Sequence, residues 1–406
     1  MGKMTAADDS GGRPGRLGRV RKALVLCVKL AVTGGVLWWV LSGVRWHDHV
    51  VTGDGRTLRA IEQRRDAVLV VDGADRRWRP KRQLQPVEGR LVRPGLAAAM
   101  ADLRWPLYAV GGALLAAQLT LMGVRWWYLL RFQRIEASVS VAVRLMFVGH
   151  FFNFFLPGAT GGDLLRAYLI SKRTRRRTVA VATVLLDRFV GLAGMALLAG
   201  VMTLASGGGP QTRRAALAVG VTVAIILAAG LVLFSRTVGR AVRLDRLIDR
   251  LPRSENFRLA IRTLRDLPAN GRAAATVAAM TVGVHLLLAA GIAAMGAALG
   301  LGRHVPLRHY FLFVPVIYIL AAVPISIGGL GVVEGMYLVF FGQLPGVEGS
   351  PVLALALLAR LTPMLLSLPG LVFWLIERGA RPRAGEADLP GAGDAAVGDD
   401  SPGDRR

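Results

Sequence analysis

Nine apolar runs divide this chain, several of them about 20 residues long, and basic loops separate many of them. A helix of that length spans about 30 Å of hydrocarbon, since each residue advances it by about 1.5 Å. The runs fall at roughly 22–43, 106–130, 139–157, 178–205, 214–235, 273–300, 310–325, 329–342 and 351–376. They predict an all-α polytopic membrane protein. The composition agrees, with 53% hydrophobic residues among 406.

The formal net charge of +25 would by itself suit nucleic acid. Its distribution favours another explanation. Positive charge collects between apolar runs and alternates from loop to loop, which is the positive-inside bias with added attraction to anionic lipid headgroups. The partners expected are therefore membrane lipids with anionic headgroups, and no nucleic acid. Arg13, Arg16, Arg19, Arg21 and Lys22 place the N-terminus on the cytoplasmic side of an inner (cell) membrane. The tail is expected there too. "SGGGPQT" and "GQLPGVEGS" lack this charge and belong outside.

One conflict in this pattern is informative. Residues 131–144 and "KRTRRR" at 172–177 are both basic, so both should lie inside. Only residues 145–171 separate them, and these contain "HFFNFFLPGATGGDLLR". A re-entrant hairpin resolves the conflict: 145–157 enter, "PGATGG" turns, and 163–171 return. A second broken element, "FLFVPVIYILAAVPISIGGLGVVEGMYLVFFG", would enter from the opposite side. The expected architecture is about six spanning helices plus two re-entrant helical hairpins in an inverted repeat, with broken helices meeting near the midplane. Such backbone is tolerated only where protein or a watery cavity surrounds it. Eight or nine ordinary helices, some kinked at proline, form the alternative.

The chain accordingly divides into an N-terminus with a first transmembrane helix (1–43), a small polar β-rich insert (44–105), a transmembrane domain (106–378) and a disordered cytoplasmic tail (379–406). The insert is expected outside, and "DAVLVVDGADRRWRP" reads there as strand, D-G turn and strand. The basic N-terminus with its long apolar stretch reads as a retained anchor, not a cleaved signal. Cys27 is the sole cysteine, so no intrachain disulfide can form. No metal site, Walker loop or GxSxG elbow is present in the sequence, and no cofactor is expected.

Charges within hydrocarbon cost about 2.5–3.5 kcal/mol each, so they should face a cavity or a partner. The candidates are Asp163, Arg166, Asp187, Arg188, Glu334 and Arg360. Gly161 and Gly162 allow close approach to a helix start, where free N–H groups suit an anion. Asp163 serves equally as a first-turn acid. Arg166 suits either a phosphate or Asp187. Glu334 suits its helix dipole or Arg360. Asn153 reads as an interhelical hydrogen-bond partner more readily than a ligand. His150 and His285 read as packing residues.

In "NFFLPGATGGDLLRAYLI", "ATVLLDRFVGL", "PISIGGLGVVEGMYL" and "ALALLARLTPMLLSLPGLVFWLIE", in that order and spacing, the chain resembles the flippase-like membrane family typified by the transmembrane region of lysylphosphatidylglycerol synthases. The resemblance covers about 106–378. It implies a domain that moves or houses lipids, such as aminoacylated phosphatidylglycerol or polyprenyl-linked glycans, with an acid–Arg pair at Asp187-Arg188. Full-length synthases carry a soluble transferase domain after the membrane part, whereas only a short tail follows here. The leading expectation is a lipid translocator that holds headgroups near Asn153, Gly161, Gly162, Asp163, Arg166, Asp187, Arg188, Glu334 and Arg360. The alternatives are a membrane-embedded transferase using Asp163 or Asp187 as base, or a non-transporting partner of an envelope glycosyltransferase or acyltransferase.

Overall fold

The computed structural model describes residues 46–155 apart from 73–74, 87–90 and 94, then 161–205, 254–321 and 329–379, with scattered positions elsewhere. Runs 22–43 and 214–235, the two expected hairpin turns, segment 236–253 and the tail lie wholly or largely outside the described residues.

The polar insert is a six-stranded antiparallel sheet. Its strands are β1 (His49–Thr52), β2 (Thr57–Gln63), β3 (Ala67–Asp72), β4 (Asp75–Pro80), β5 (Leu84–Gln85) and β6 (Val92–Arg93). They lie in the order β4-β3-β2-β1-β5, with β6 also paired to β1. Period-2 alternation puts Val50, Leu58, Ala60, Val68, Val70 and Leu84 into one small core. The expected hairpin is the β3–β4 pair, in register from Ala67↔Pro80 to Asp72↔Asp75. The sheet is larger than that single hairpin. Its other strands are short or interspersed with arginine, so their alternation is weak in the sequence.

The rest is helical: α1 (Leu96–Ala101), α2 (Trp105–Phe132), α3 (Val139–Phe155), α4 (Gly161–Ser171), α5 (Arg177–Ala205), α6 (Ser254–Ala269), α7 (Gly271–Ala298), α8 (Leu307–Ala321), α9 (Val332–Phe340), α10 (Gly349–Leu366) and α11 (Pro369–Gly379). Pro106 opens α2 at a position where its missing N–H costs nothing. The Asn270 side chain caps α7 by accepting from the Ala273 N–H at 3.0 Å. Among the described residues, α2, α5, α7 and the nearly continuous α10–α11 are long and apolar enough to cross a membrane. Helices α7 and α10–α11 are the most enclosed of these: 50% and 56% of their most apolar stretches are buried, against 22% for α2.

Cross-contacts define two ends. Arg176 Nη1 donates to the Gln133 carbonyl at 2.6 Å, and Arg173 pairs with Glu377. The two basic loops and the end of α11 therefore meet at one basic end. At the other end, α1 packs Leu96 and Ala99 against Leu353 and Ala354 at the start of α10. The Arg104 N–H donates to Ala298 O at 3.0 Å, which fastens the start of α2 to the end of α7. The sheet thus sits opposite the basic loops. Residues flanking α8 and α9 also come together at the sheet end, where Leu301, Val305, Leu344 and Val347 share one core.

Candidate functional site

Asp187 is the hub of a buried charge ladder. It lies one face inward on α5 and is only 2% exposed. Arg125 of α2 reaches its Oδ1 through Nη2 at 2.9 Å and Nε at 3.1 Å. Arg166 of α4 reaches its Oδ2 at 3.2 Å. Both guanidiniums are 1% exposed. Arg125 also donates to Thr281 Oγ1 of α7 at 3.1 Å and to the Asp187 carbonyl at 3.3 Å. Four helices are therefore joined through one carboxylate. It lies between two cations, the arrangement that makes a buried charge tolerable.

The ladder continues outward. Arg166 Nη2 stands 3.5 Å from Asp163 Oδ1, one turn earlier on α4. The other oxygen of Asp163 accepts from Arg188 Nε at 2.5 Å. Arg188 leaves the protein interior, with 47% of its side chain exposed. Arg166 is further held by the face of Trp126, 4.4 Å from the ring centroid, and by Met146 Sδ at 2.9 Å. Its Nε has no hydrogen-bond partner among the described residues. Among the described residues, three guanidiniums thus face two carboxylates, an excess of one positive charge.

Close packing of α3 on α4 sets this geometry. A Cβ on Gly162 would fall 1.8 Å from the Gly149 carbonyl oxygen, so only glycine fits. The Gly162 N–H donates to Asn153 Oδ1 at 2.9 Å. Asn153 therefore satisfies the free start of α4, and Gly161 begins that helix. Asp163 is its first-turn acid, where a negative charge complements the helix dipole.

A second network lies between α9 and α10. Glu334 is 3% exposed and pairs with Arg360. Its Oε2 also accepts from the Gly331 N–H at 2.8 Å, closing the start of α9 on itself. Gly331 has φ +78°, which glycine adopts without steric cost. Arg360 donates to the Gly329 carbonyl at 3.0 Å. Among the described residues this network holds one acid and one arginine, so its charges balance.

The structure therefore groups Asn153, Gly161, Gly162, Asp163, Arg166, Asp187 and Arg188 together, with Glu334 and Arg360 in a separate cluster. It separates Asp187 from its neighbour Arg188. Adjacent residues on a helix diverge by about 100°, so one turns inward and the other outward to Asp163. His285 is buried with Nε2 2.9 Å from the Gly191 carbonyl, while its Nδ1 has no hydrogen-bond partner among the described residues. His150 has Arg188, Asp163, Arg166 and Asp187 as its electrostatic neighbours, beside the exposed end of the ladder. Arg125 was not among the expected residues. It lies inside run 106–130, and the cost of any charge in such a run was the signal for it.

This order of elements meets one family description. A model of the lysylphosphatidylglycerol synthase transmembrane region matches residues 94–370. The chain belongs to that family. The match begins at α1 and ends at the start of α11, so both charge networks of this lysylphosphatidylglycerol synthase transmembrane-region protein lie within it, and strands β1–β6 precede it. No curated protein and no solved structure matches the chain. Family and apolar helices together make it a multi-pass membrane protein of lipid-related processes.

Proposed function

We propose that this protein translocates phospholipid or polyprenyl-linked lipid headgroups between leaflets of the cell inner membrane, with its basic end in the cytoplasm. One observation carries the reading: the surplus positive charge of the Arg125–Asp187–Arg166–Asp163–Arg188 ladder, exposed at Arg188. Counting along the helices at about 1.5 Å per residue, Asp187 and Thr281 stand roughly 15 Å from the basic end. A charge surplus at that depth is costly unless an anion offsets it. A lipid phosphate is the anion that membrane geometry supplies, its tails remaining in the bilayer.

The hairpin architecture belongs to the same proposal. Helix α4, with 11 residues, is about 16 Å long, too short to span. The Arg176–Gln133 contact supports entry and exit of α3–α4 at one end. The shared core of Leu301, Val305, Leu344 and Val347 supports the same for α8–α9 at the other. Two such hairpins of opposite entry form the inverted repeat through which alternating exposure would move a headgroup.

Arg188 is the residue to test. Replacing the enclosed Arg166 would remove one of the two cations on Asp187 and confuse folding with function. In liposomes carrying fluorescent phosphatidylglycerol, a dithionite-quenching assay should show fast translocation by the wild type. Arg188→Gln should slow it at least about tenfold, the loss of one charge-assisted contact, at an unchanged melting temperature. Wild-type translocation by this variant would refute the site.

A further inference from the structure

Helix α2 ends in a Schellman motif. The Ile135 N–H donates to Leu130 O at 2.9 Å, and the Arg134 N–H donates to Arg131 O, also at 2.9 Å. Ile135 is buried against Leu130 in the same core, as that motif requires. The left-handed position between them is the one glycine normally takes. Here it holds Arg134, with φ 58°, the only described non-glycine residue with positive φ. For a side chain of this size, that backbone costs about 1–2 kcal/mol. A basic loop needs no such cost for topology alone, because arginine at any neighbouring position would bias orientation equally.

The strained residue lines a cleft of about 580 Å3 with Arg131, Ile135, Glu136, Ala137 and Ser138. The cleft wall is fastened in place. Trp127 Nε1 donates to the Ala137 carbonyl at 3.0 Å, and the Ser138 hydroxyl accepts from the Val141 N–H at the start of α3. Arg131 lies over the Trp127 ring at 5.6 Å. Two arginines and one glutamate thus line an open hollow at the end of a membrane-length helix, where headgroups lie.

We propose that this cleft is a binding site for the phosphate of an anionic phospholipid headgroup on the basic side of the membrane, and that Arg134 is its specificity-determining residue. Arg131 and Arg134 hold the phosphate. Glu136 disfavours occupants with further negative charge. The site is separate from the buried ladder and does not depend on translocation.

The test uses the full chain in detergent, with binding followed by native mass spectrometry. The probes are dihexanoyl-phosphatidylglycerol, dihexanoyl-phosphatidylcholine and free glycerol phosphate. Phosphatidylglycerol should bind more tightly than the other two. Arg134→Asn keeps a residue that tolerates the left-handed backbone and should weaken it about tenfold, the loss of one charge-assisted contact. Arg134→Lys should retain most of the affinity. Glu136→Gln should tighten it about threefold, a surface charge effect. Arg134→Gly should move two quantities oppositely, raising the melting temperature while weakening lipid binding. Equal phosphatidylglycerol binding by Arg134→Asn and wild type would overturn the proposal. So would phosphatidylcholine or glycerol phosphate binding as tightly as phosphatidylglycerol, or no gain from Glu136→Gln.

Discussion

The two buried charge networks use the same residue types in opposite ways. Between α9 and α10, Glu334 pairs with Arg360, and among the described residues the pair also reaches the backbone at Gly331 and Gly329. Around α5, Asp187 is shared by two guanidiniums, and the chain of contacts runs on through Asp163 to the exposed Arg188. A balanced pair fixes a turn. An open ladder with surplus charge both fixes four helices and leaves an end for something else to meet. Pairing alone therefore does not distinguish structural charge from functional charge. Balance and exposure do.

The strongest way to break the contrast is at the hub. Asp187→Ala leaves the enclosed Arg125 without a carboxylate and Arg166 with Asp163 alone, and should cost about 3–5 kcal/mol. Size-exclusion profiles and thermal melts in detergent should show mostly unfolded or aggregated protein. Glu334→Ala strands only Arg360, which keeps the Gly329 carbonyl, so the loss should be smaller, about 2–3 kcal/mol by the same melts. Replacing Glu334 and Arg360 together by Leu and Met should recover most of that loss, since a neutral pair can give way to apolar groups of similar size. Gly162→Ala forces α3 from α4 and should cost about 1–3 kcal/mol, with translocation reduced alongside. Arg188→Gln should change stability by under about 1 kcal/mol, although its effect on transport is the larger one. A large melting shift in that variant would make the ladder's outer end structural after all.

The acids and most of the arginines of these networks were legible because hydrocarbon makes each one conspicuous. Their pairing was not. Asp187 and Arg188 read together as one acid–Arg pair, yet helix geometry sends them to different partners. Arg125 stayed hidden among Trp126, Trp127 and Tyr128, which mask one charge in a greasy run. The β3–β4 hairpin followed from alternation around an Asp-Gly. The extent of the sheet did not, because two-residue strands such as β5 and β6 carry no period. Arg134 looked like one more basic loop residue, and only its backbone angle sets it apart.

The last described helix closes over α3. Phe373 meets Phe147 edge-on, Trp374 meets Phe152, and a Cβ on Gly370 would lie 2.3 Å from the Phe147 carbonyl oxygen. A ribosome must therefore add roughly 200 residues after α3 before its cover exists, on the order of 10–40 s at ordinary elongation rates. During that interval the aromatic face of α3 is open to lipid or to the insertion machinery. Biogenesis of this protein thus includes a waiting period, which ends only when α11 emerges and seals the half that was made first.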